Sequence, residues 1–499
     1  MHTVVISDLH LSEAHEPEER RPLWMAYKRR EHFVDEDFAR FLEHIDEQSD
    51  GPVELVLNGD IFDFDNVTQL PDDERAQEMG GRVDWLARAR GLGSEEWMSV
   101  FKMECIIADH PVWFAALRGF IRKGHRAVFV IGNHDLELGW PSVKKLVRAA
   151  LEVEPTDERV TFCAWFYLAE GDTYITHGHL YDPNCAGTDP IDPVIEVHGR
   201  PRMRIPFGDL AGRYMLNGMG YFNPHASDNY IMSGWEYLQF FFRYMVRTQP
   251  LLVWSWFWSA VVTLFISLRD HWRPAMRDPL RVEEKVASIA EASRATPSMV
   301  RKLAALNVPS SCTSPMWVLR ELWLDRGFLF IGILLLAWQV VLHVNIAWPI
   351  SPLWAFAALA ALIPPYLVYA AKVKSTVFQT PLLDAERAEL IQRITGAKTV
   401  VMGHTHEPVK ENVGPVRYIN GGFWSPAFSD PECTERIGTQ SFVWLRPGED
   451  GERRPELYEW APGATTARVY ELERAEASTK QPAAERPSMR PPRLEPGRA

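Results

Sequence analysis

Five short fragments of this 499-residue chain concentrate hard metal ligands. They are Asp8-Leu9-His10, Gly59-Asp60-Ile61-Phe62-Asp63, Gly132-Asn133-His134-Asp135, His177-Gly178-His179 and Gly403-His404-Thr405-His406. Carboxylate, carboxamide and imidazole form a mixed oxygen and nitrogen donor set, suited to Mn²⁺, Fe or Zn²⁺ rather than to a thiolate site. Taken singly each fragment is ordinary, since Asp after a strand is most often a turn residue and paired loop histidines are usually solvated. All five, however, follow apolar runs of strand type, which would gather them at one edge of a sheet. The five cysteines (Cys105, Cys163, Cys185, Cys312, Cys433) have no C-x-x-C spacing and read as reduced packing thiols.

The elements that must carry these ligands alternate in type. Val4–Ser7, Val53–Leu57, Ala127–Ile131, Val160–Phe166 and Thr173–Thr176 read as strands. Helical spacing occupies 33–45, Trp97 to about Arg122, and Val143–Leu151. The charged, Gly-dotted segment 65–93 reads as a surface cap. After about 200 residues without this pattern, a helix over Leu382–Ile394 precedes the strand Lys398–Met402, with further strands at Val416–Ile419, Ser441–Leu445 and near Leu457. Apolar runs alternating with helices, each ending in polar residues, predict an α/β layer protein with its site at strand C-termini. The expected organisation is an N-terminal segment of the catalytic domain over 1–185, an insertion 186–379, a C-terminal segment of the same domain over 380–473 and a disordered tail 474–499 rich in Pro, Arg, Glu and Ala.

The insertion contains three apolar runs, 251–268, 328–348 and 353–371, edged by tryptophans as membrane interfaces are. Runs of about 18–21 residues suffice to cross a hydrocarbon core of about 30 Å. If His177 and His404 share one site, the number of crossings is even. Arg320 and Arg326 precede the second run, Lys372 and Lys374 follow the third, and the turn between them is uncharged. This predicts a transmembrane hairpin at 328–348 and 353–371 with both ends cytoplasmic, and leaves 251–268 interfacial or re-entrant. The N-terminus enters a strand pattern directly, without the basic and apolar regions of a signal peptide. The expected location is the cytoplasmic membrane, with the catalytic domain on the cytoplasmic side. A net charge of −13 argues against a nucleic-acid partner.

D-x-H, G-D-x-x-D, G-N-H-D, H-G-x and G-H-x-H, in that order, resemble the calcineurin-like metallophosphoesterase superfamily, over residues 1–185 and 380–425. The resemblance implies a four-layer α/β/β/α sandwich, here interrupted by the helical membrane-associated insertion, and a two-metal site. Asp8, His10 and His406 would bind one cation, and Asn133, His177 and His404 the second. Asp60 would bridge the pair, with Mn²⁺ the first choice and Fe or Zn²⁺ the alternatives. A hydroxide held between the cations would attack phosphorus in line. His134 would serve as general acid, Asp63 would orient it, and Asp135 would support them. His179 is the bystander of its pair. His110, His125, His198, His225, His271 and His343 match no motif and read as surface or packing residues. Arg202, Arg204 and Arg213 read as solvated, and Asn420-Gly421-Gly422 as a structural turn.

Ser7-Asp8-Leu9-His10-Leu11 and Gly403-His404-Thr405-His406-Glu407-Pro408 further resemble the UDP-2,3-diacylglucosamine diphosphatases, peripheral membrane hydrolases of a lipid-bearing sugar pyrophosphate. The chain departs from them in having His134 where that group usually has Arg, and in the size of its insertion. The expected partners are thus a phosphorylated small-molecule or lipid-linked substrate and a membrane. The leading reading is a membrane-anchored metal-dependent phosphoesterase or pyrophosphatase. The alternatives are a phosphodiesterase for soluble nucleotides and a catalytically silent membrane scaffold.

Overall fold

The computed structural model describes residues 1–226, 234–246, 251–351, 353–373, 375, 381–448 and 451–471. The tail expected over 474–499, and Lys374, lie outside them.

The N-terminal strands β1 (His2–Ile6), β2 (Val53–Asn58), β3 (Arg126–Val130) and β4 (Val160–Cys163) run parallel in one sheet. Next come β5 (Phe166–Ala169) and β6 (Thr173–Thr176), the separate β7–β8 ribbon (Val194–Val197, Arg200–Met203), then β9 (Thr399–Met402), β10 (Val409–Val413) and β11 (Val416–Asn420). The chain closes with β12 (Gln440–Pro447), β13 (Arg453–Trp460) and β14 (Arg468–Val469). The strand orders are β14-β13-β12-β1-β2-β3-β4 in the seven-stranded sheet and β10-β11-β9-β6-β5 in the five-stranded sheet. Successive strand side chains face opposite ways. Val4 and Ile6 therefore join the helix-covered core of the first sheet, while Val5 enters the core between the sheets with Val56, Val128, Ile175, Val401 and Ile419. Burial on both faces explains why these strands read as continuous apolar runs.

On the outer face of the first sheet, Phe38 and Phe41 of the helix Asp35–Glu47 pack with Trp113 and Leu117. The expected single helix from Trp97 to Arg122 is two, Glu96–Asp109 and Pro111–Arg122. Pro111 has no N–H to donate and disfavours helical geometry at His110, so the chain turns there. His110 is buried at this break, its Nδ1 2.8 Å from Asp35 and its Nε2 2.7 Å from the Ser12 carbonyl.

The second sheet is covered partly from within the insertion. Val286 and Ala290 of the helix Val282–Ala292, and Val300 and Leu303 of the helix Pro297–Ala304, share a core with Ala388 and Ile391 of the helix Ala385–Thr395. Between 272 and 323 the chain forms several short helices, with Pro274, Pro279 and Pro309 in the segments between them and Pro297 and Pro315 at helix N-termini. The layers follow in the order helix, sheet, sheet, helix.

Among the described residues one helix, Leu324–Ala347, is long and apolar enough to cross a membrane. Its 24 residues rise about 36 Å. It packs along Trp354–Lys372, which contains Pro364 and Pro365. Across the two helices Phe328, Leu335, Trp338, Ile346 and Phe356 are exposed. At their base the Arg326 guanidinium donates to the Arg320 and Val373 carbonyls, and the Tyr369 hydroxyl donates to Asp325 at 2.7 Å. The run expected over 251–268 is the two-faced helix Leu252–His271. Ser259, Ala260, Thr263, Ser267 and Asp270 are buried along one side, while Trp254 is 64% and Phe265 70% exposed on the other.

Candidate metal centre

All five ligand fragments leave the C-terminal ends of β1, β2, β3, β6 and β9. Because β6 and β9 are parallel neighbours, His177 and His404 emerge side by side, 5.2 Å apart between ring centroids. Five groups of potential ligands among the described residues have ligand atoms within 4.8 Å of one another, and two of them, Asp8–His10–His406 and Asp60–His177–His404, bring the late histidine pair onto the early carboxylates. Asp8 lies between them, its Oδ1 3.2 Å from His406 Nε2 and 3.9 Å from both His10 Nε2 and His177 Nε2. Asp60 Oδ2 is 3.0 Å from His177 Nε2.

The donor atoms fit cations. Asn133 Oδ1 is buried and has no hydrogen-bond partner among the described residues, while Asp8 Oδ1 and His177 Nε2, also buried, make no well-directed hydrogen bond and have other candidate ligands, His406 Nε2 and Asp60 Oδ2, as their near neighbours. A buried polar group left unsatisfied costs about 1–3 kcal/mol. Hydrogen bonds at the opposite ring nitrogens point the imidazoles inward. His177 Nδ1–H donates to the Asn58 carbonyl at 2.9 Å, His404 Nε2–H to Asp182 at 3.1 Å, and His406 Nδ1–H to the His225 carbonyl at 3.4 Å. Each ring keeps one nitrogen for a metal, the usual division of labour in histidine sites. Burial alone would raise the Asp60 carboxyl, but the charges of His177 and His134 hold it well below the usual range. Burial depresses His177, yet Asp60 and Asp8 carry it up to about 9 in the metal-free state.

The backbone is strained where the ligands sit. Asp8, His10, Asp60, His404 and His406 all have φ between 51° and 72°, a region that non-glycine residues enter at a cost of about 1–3 kcal/mol each. Close approach between fragments adds a second constraint. A Cβ on Gly59 would lie 2.4 Å from His177 Cγ, and one on Gly403 2.6 Å from Asp8 Oδ2.

His134 stands beside the two groups, partly exposed. Its Nδ1 is 3.4 Å from Asp63 Oδ1 and its Nε2 3.4 Å from Asp209 Oδ1. Burial would lower it, but the charges of Asp63, Asp209 and Asp60 raise it well above the ordinary histidine value. Asp135 works on backbone instead. Its carboxylate accepts from the Gly132 N–H at 2.6 Å and the Ile61 N–H at 2.9 Å, lacing the β2 and β3 loops together. His179 is buried 5.6 Å from His177 between ring centroids and belongs to neither donor group.

Three neighbours were not singled out as site residues from the sequence. Asp182 orients His404. His225, assigned above to surface or packing, is buried with its ring 4.1 Å from that of His10. Asp209 accepts from Asn133 Nδ2 at 2.7 Å. Asp182 is five residues beyond His177, a proximity that could have flagged it. Asp209 and His225 come from a stretch without motif or period.

Residues 1–198 match the family model described as calcineurin-like phosphoesterase. The chain thus carries that domain in its N-terminal region, and members of the family are metal-dependent phosphoester hydrolases. No curated protein matches the sequence. His404 and His406 lie beyond the matched residues, yet β9 sets them against Asp8 and Asp60.

Proposed function

We propose that the chain is a membrane-anchored, two-metal phosphoesterase or pyrophosphatase acting on an amphiphilic, lipid-linked substrate. The observation that carries the reading is the pair of donor groups with Asp8 between them, together with the buried Asn133 Oδ1, which has no hydrogen-bond partner among the described residues. In this reading Asp8, His10 and His406 would hold one divalent cation, Asn133, His177 and His404 would hold the other, and Asp60 would serve both. Mn²⁺ is the first choice for an oxygen and nitrogen set of this kind, ahead of Fe or Zn²⁺. Such a pair, when bound, supplies hydroxide near neutral pH and neutralises charge on the transferring phosphoryl group.

The protein's own contribution is positional. Asp63, 3.4 Å from His134 Nδ1, would orient the ring and stabilise the imidazolium, and Nε2–H, with Asp209 Oδ1 3.4 Å away, would protonate the leaving oxygen. Asp135 fixes the two loops that carry Asp60 and Asn133. The apolar hairpin, with Arg320, Arg326 and Lys372 at its base, supports anchoring on the cytoplasmic face. The lipid-linked sugar pyrophosphates split by UDP-2,3-diacylglucosamine diphosphatases are the nearest substrate type suggested by the motifs.

The test is hydrolysis by the full-length chain with Mn²⁺, offering a lipid-linked pyrophosphate in mixed micelles and a soluble nucleotide diester. Turnover of the micellar substrate that falls on surface dilution is expected. Equal turnover of the soluble diester with and without micelles would reduce the hairpin to an anchor. No turnover of either would sink the enzyme reading.

A further inference from the structure

We infer that Asp209, carried by the insertion, is a positioning residue that decides which end of the Asn133 amide faces the metal cleft. The inference rests on the two-metal reading, in which Asn133 is a ligand through oxygen. A carboxamide is nearly symmetric in shape, and rotating it by half a turn exchanges a cation-binding oxygen for an NH₂ group that repels a cation. Something must therefore choose between the two orientations.

Asp209 makes that choice by chemistry. A carboxylate can only accept, so the group 2.7 Å from Asp209 Oδ1 is Asn133 Nδ2. Oδ1 of the amide is left on the other side, buried and without a donor among the described residues. Asp209 is itself buried, in the short helix Phe207–Ala211, and its second oxygen also has no hydrogen-bond partner among the described residues. Its placement is secured from the helix just beyond. The Asn217 side chain donates to the Asp65 carbonyl at 2.8 Å, and Arg213 to the Gly91 carbonyl at 3.1 Å. The same Asp209 oxygen lies 3.4 Å from His134 Nε2, so one atom of the insertion touches two successive residues of the β3 loop. A segment outside the motif set thereby specifies the donor that a motif residue presents.

Asp209→Asn keeps the shape and removes the instruction, because an amide at 209 can pair with either end of Asn133. Mn²⁺ titration of the metal-free full-length protein in detergent, followed by calorimetry, should show one of two sites weakened about 10–100-fold and the other unchanged. Asn133→Asp in the Asp209→Asn background should restore that site, because a carboxylate presents oxygen both ways and accepts from the amide at 209. A merely structural role for Asp209 would not give this rescue. Unchanged affinity at both sites in Asp209→Asn, or failure of the double variant to regain affinity, would overturn the inference. Fewer than two Mn²⁺ bound by the unaltered protein would instead overturn the two-metal reading beneath it.

Discussion

Gly59→Ala offers a sharp test of how the centre is assembled. The added methyl would sit 2.4 Å from His177 Cγ, 2.5 Å from Nδ1 and 2.6 Å from Cβ. Ordinary carbon contacts lie near 3.5–4.0 Å, so the imidazole must withdraw by about 1 Å. That movement stretches the 2.9 Å bond from Nδ1–H to the Asn58 carbonyl beyond hydrogen-bonding range and frees the ring to rotate. Gly59 also has φ of +81°, which a side chain tolerates poorly. Overpacking at about 1–3 kcal/mol and backbone strain at about 1 kcal/mol or more sum to roughly 2–4 kcal/mol of stability. The ring displacement should also weaken one Mn²⁺ site about 10–100-fold. Gly51→Ala is the matched control, since nothing lies within 4 Å of a Cβ there. Thermal melts of the metal-free variants and Mn²⁺ calorimetry give the two readouts. Wild-type melting and two undiminished Mn²⁺ sites in Gly59→Ala would refute the packing of β2 against His177.

Asp60→Ala should abolish turnover and occupancy of the second cation, checked by metal analysis after gel filtration. His134→Ala should retain both cations and lose about 10²–10⁴-fold in turnover; metal loss would make His134 a ligand instead. Because His177 of the metal-free protein holds its proton up to about 9, cation binding must displace it. Apparent Mn²⁺ affinity should thus rise about tenfold per pH unit towards pH 9 and then level off, and a pH-independent calorimetric affinity would contradict this. Lys102 and Glu137 form a fully buried pair at 2.7 Å. Lys102→Met should destabilise by about 3–5 kcal/mol by leaving Glu137 uncompensated, and the double change with Glu137→Leu should recover most of that loss in thermal melts.

Much of the centre could be read from the chain because its ligands follow strands that are buried on both faces. Such strands are conspicuous, and Asp8, Asp60, Asn133, His177 and His404 mark their ends. The insertion was harder, since nothing in the apolar spacing of Val286, Ala290, Val300 and Leu303 says which sheet those helices cover. Asp209 and His225 illustrate the deeper limit. Each acts through one tertiary contact, with Asn133 and with His10 respectively, and a single contact leaves no period or spacing behind. His110 carried a local signal, the adjoining Pro111, which marks the helix break but not the Asp35 carboxylate that receives it.

The pairing of β6 with β9 and of β1 with β12 has a consequence for biosynthesis. On the ribosome each early strand offers a bare apolar edge until its mate emerges more than two hundred residues later, after the greasy hairpin. At roughly 5–20 residues per second that interval is on the order of tens of seconds. A nascent chain in this condition is open to edge-to-edge aggregation, and it is β9 and β12, both translated after the hairpin, that cover those edges.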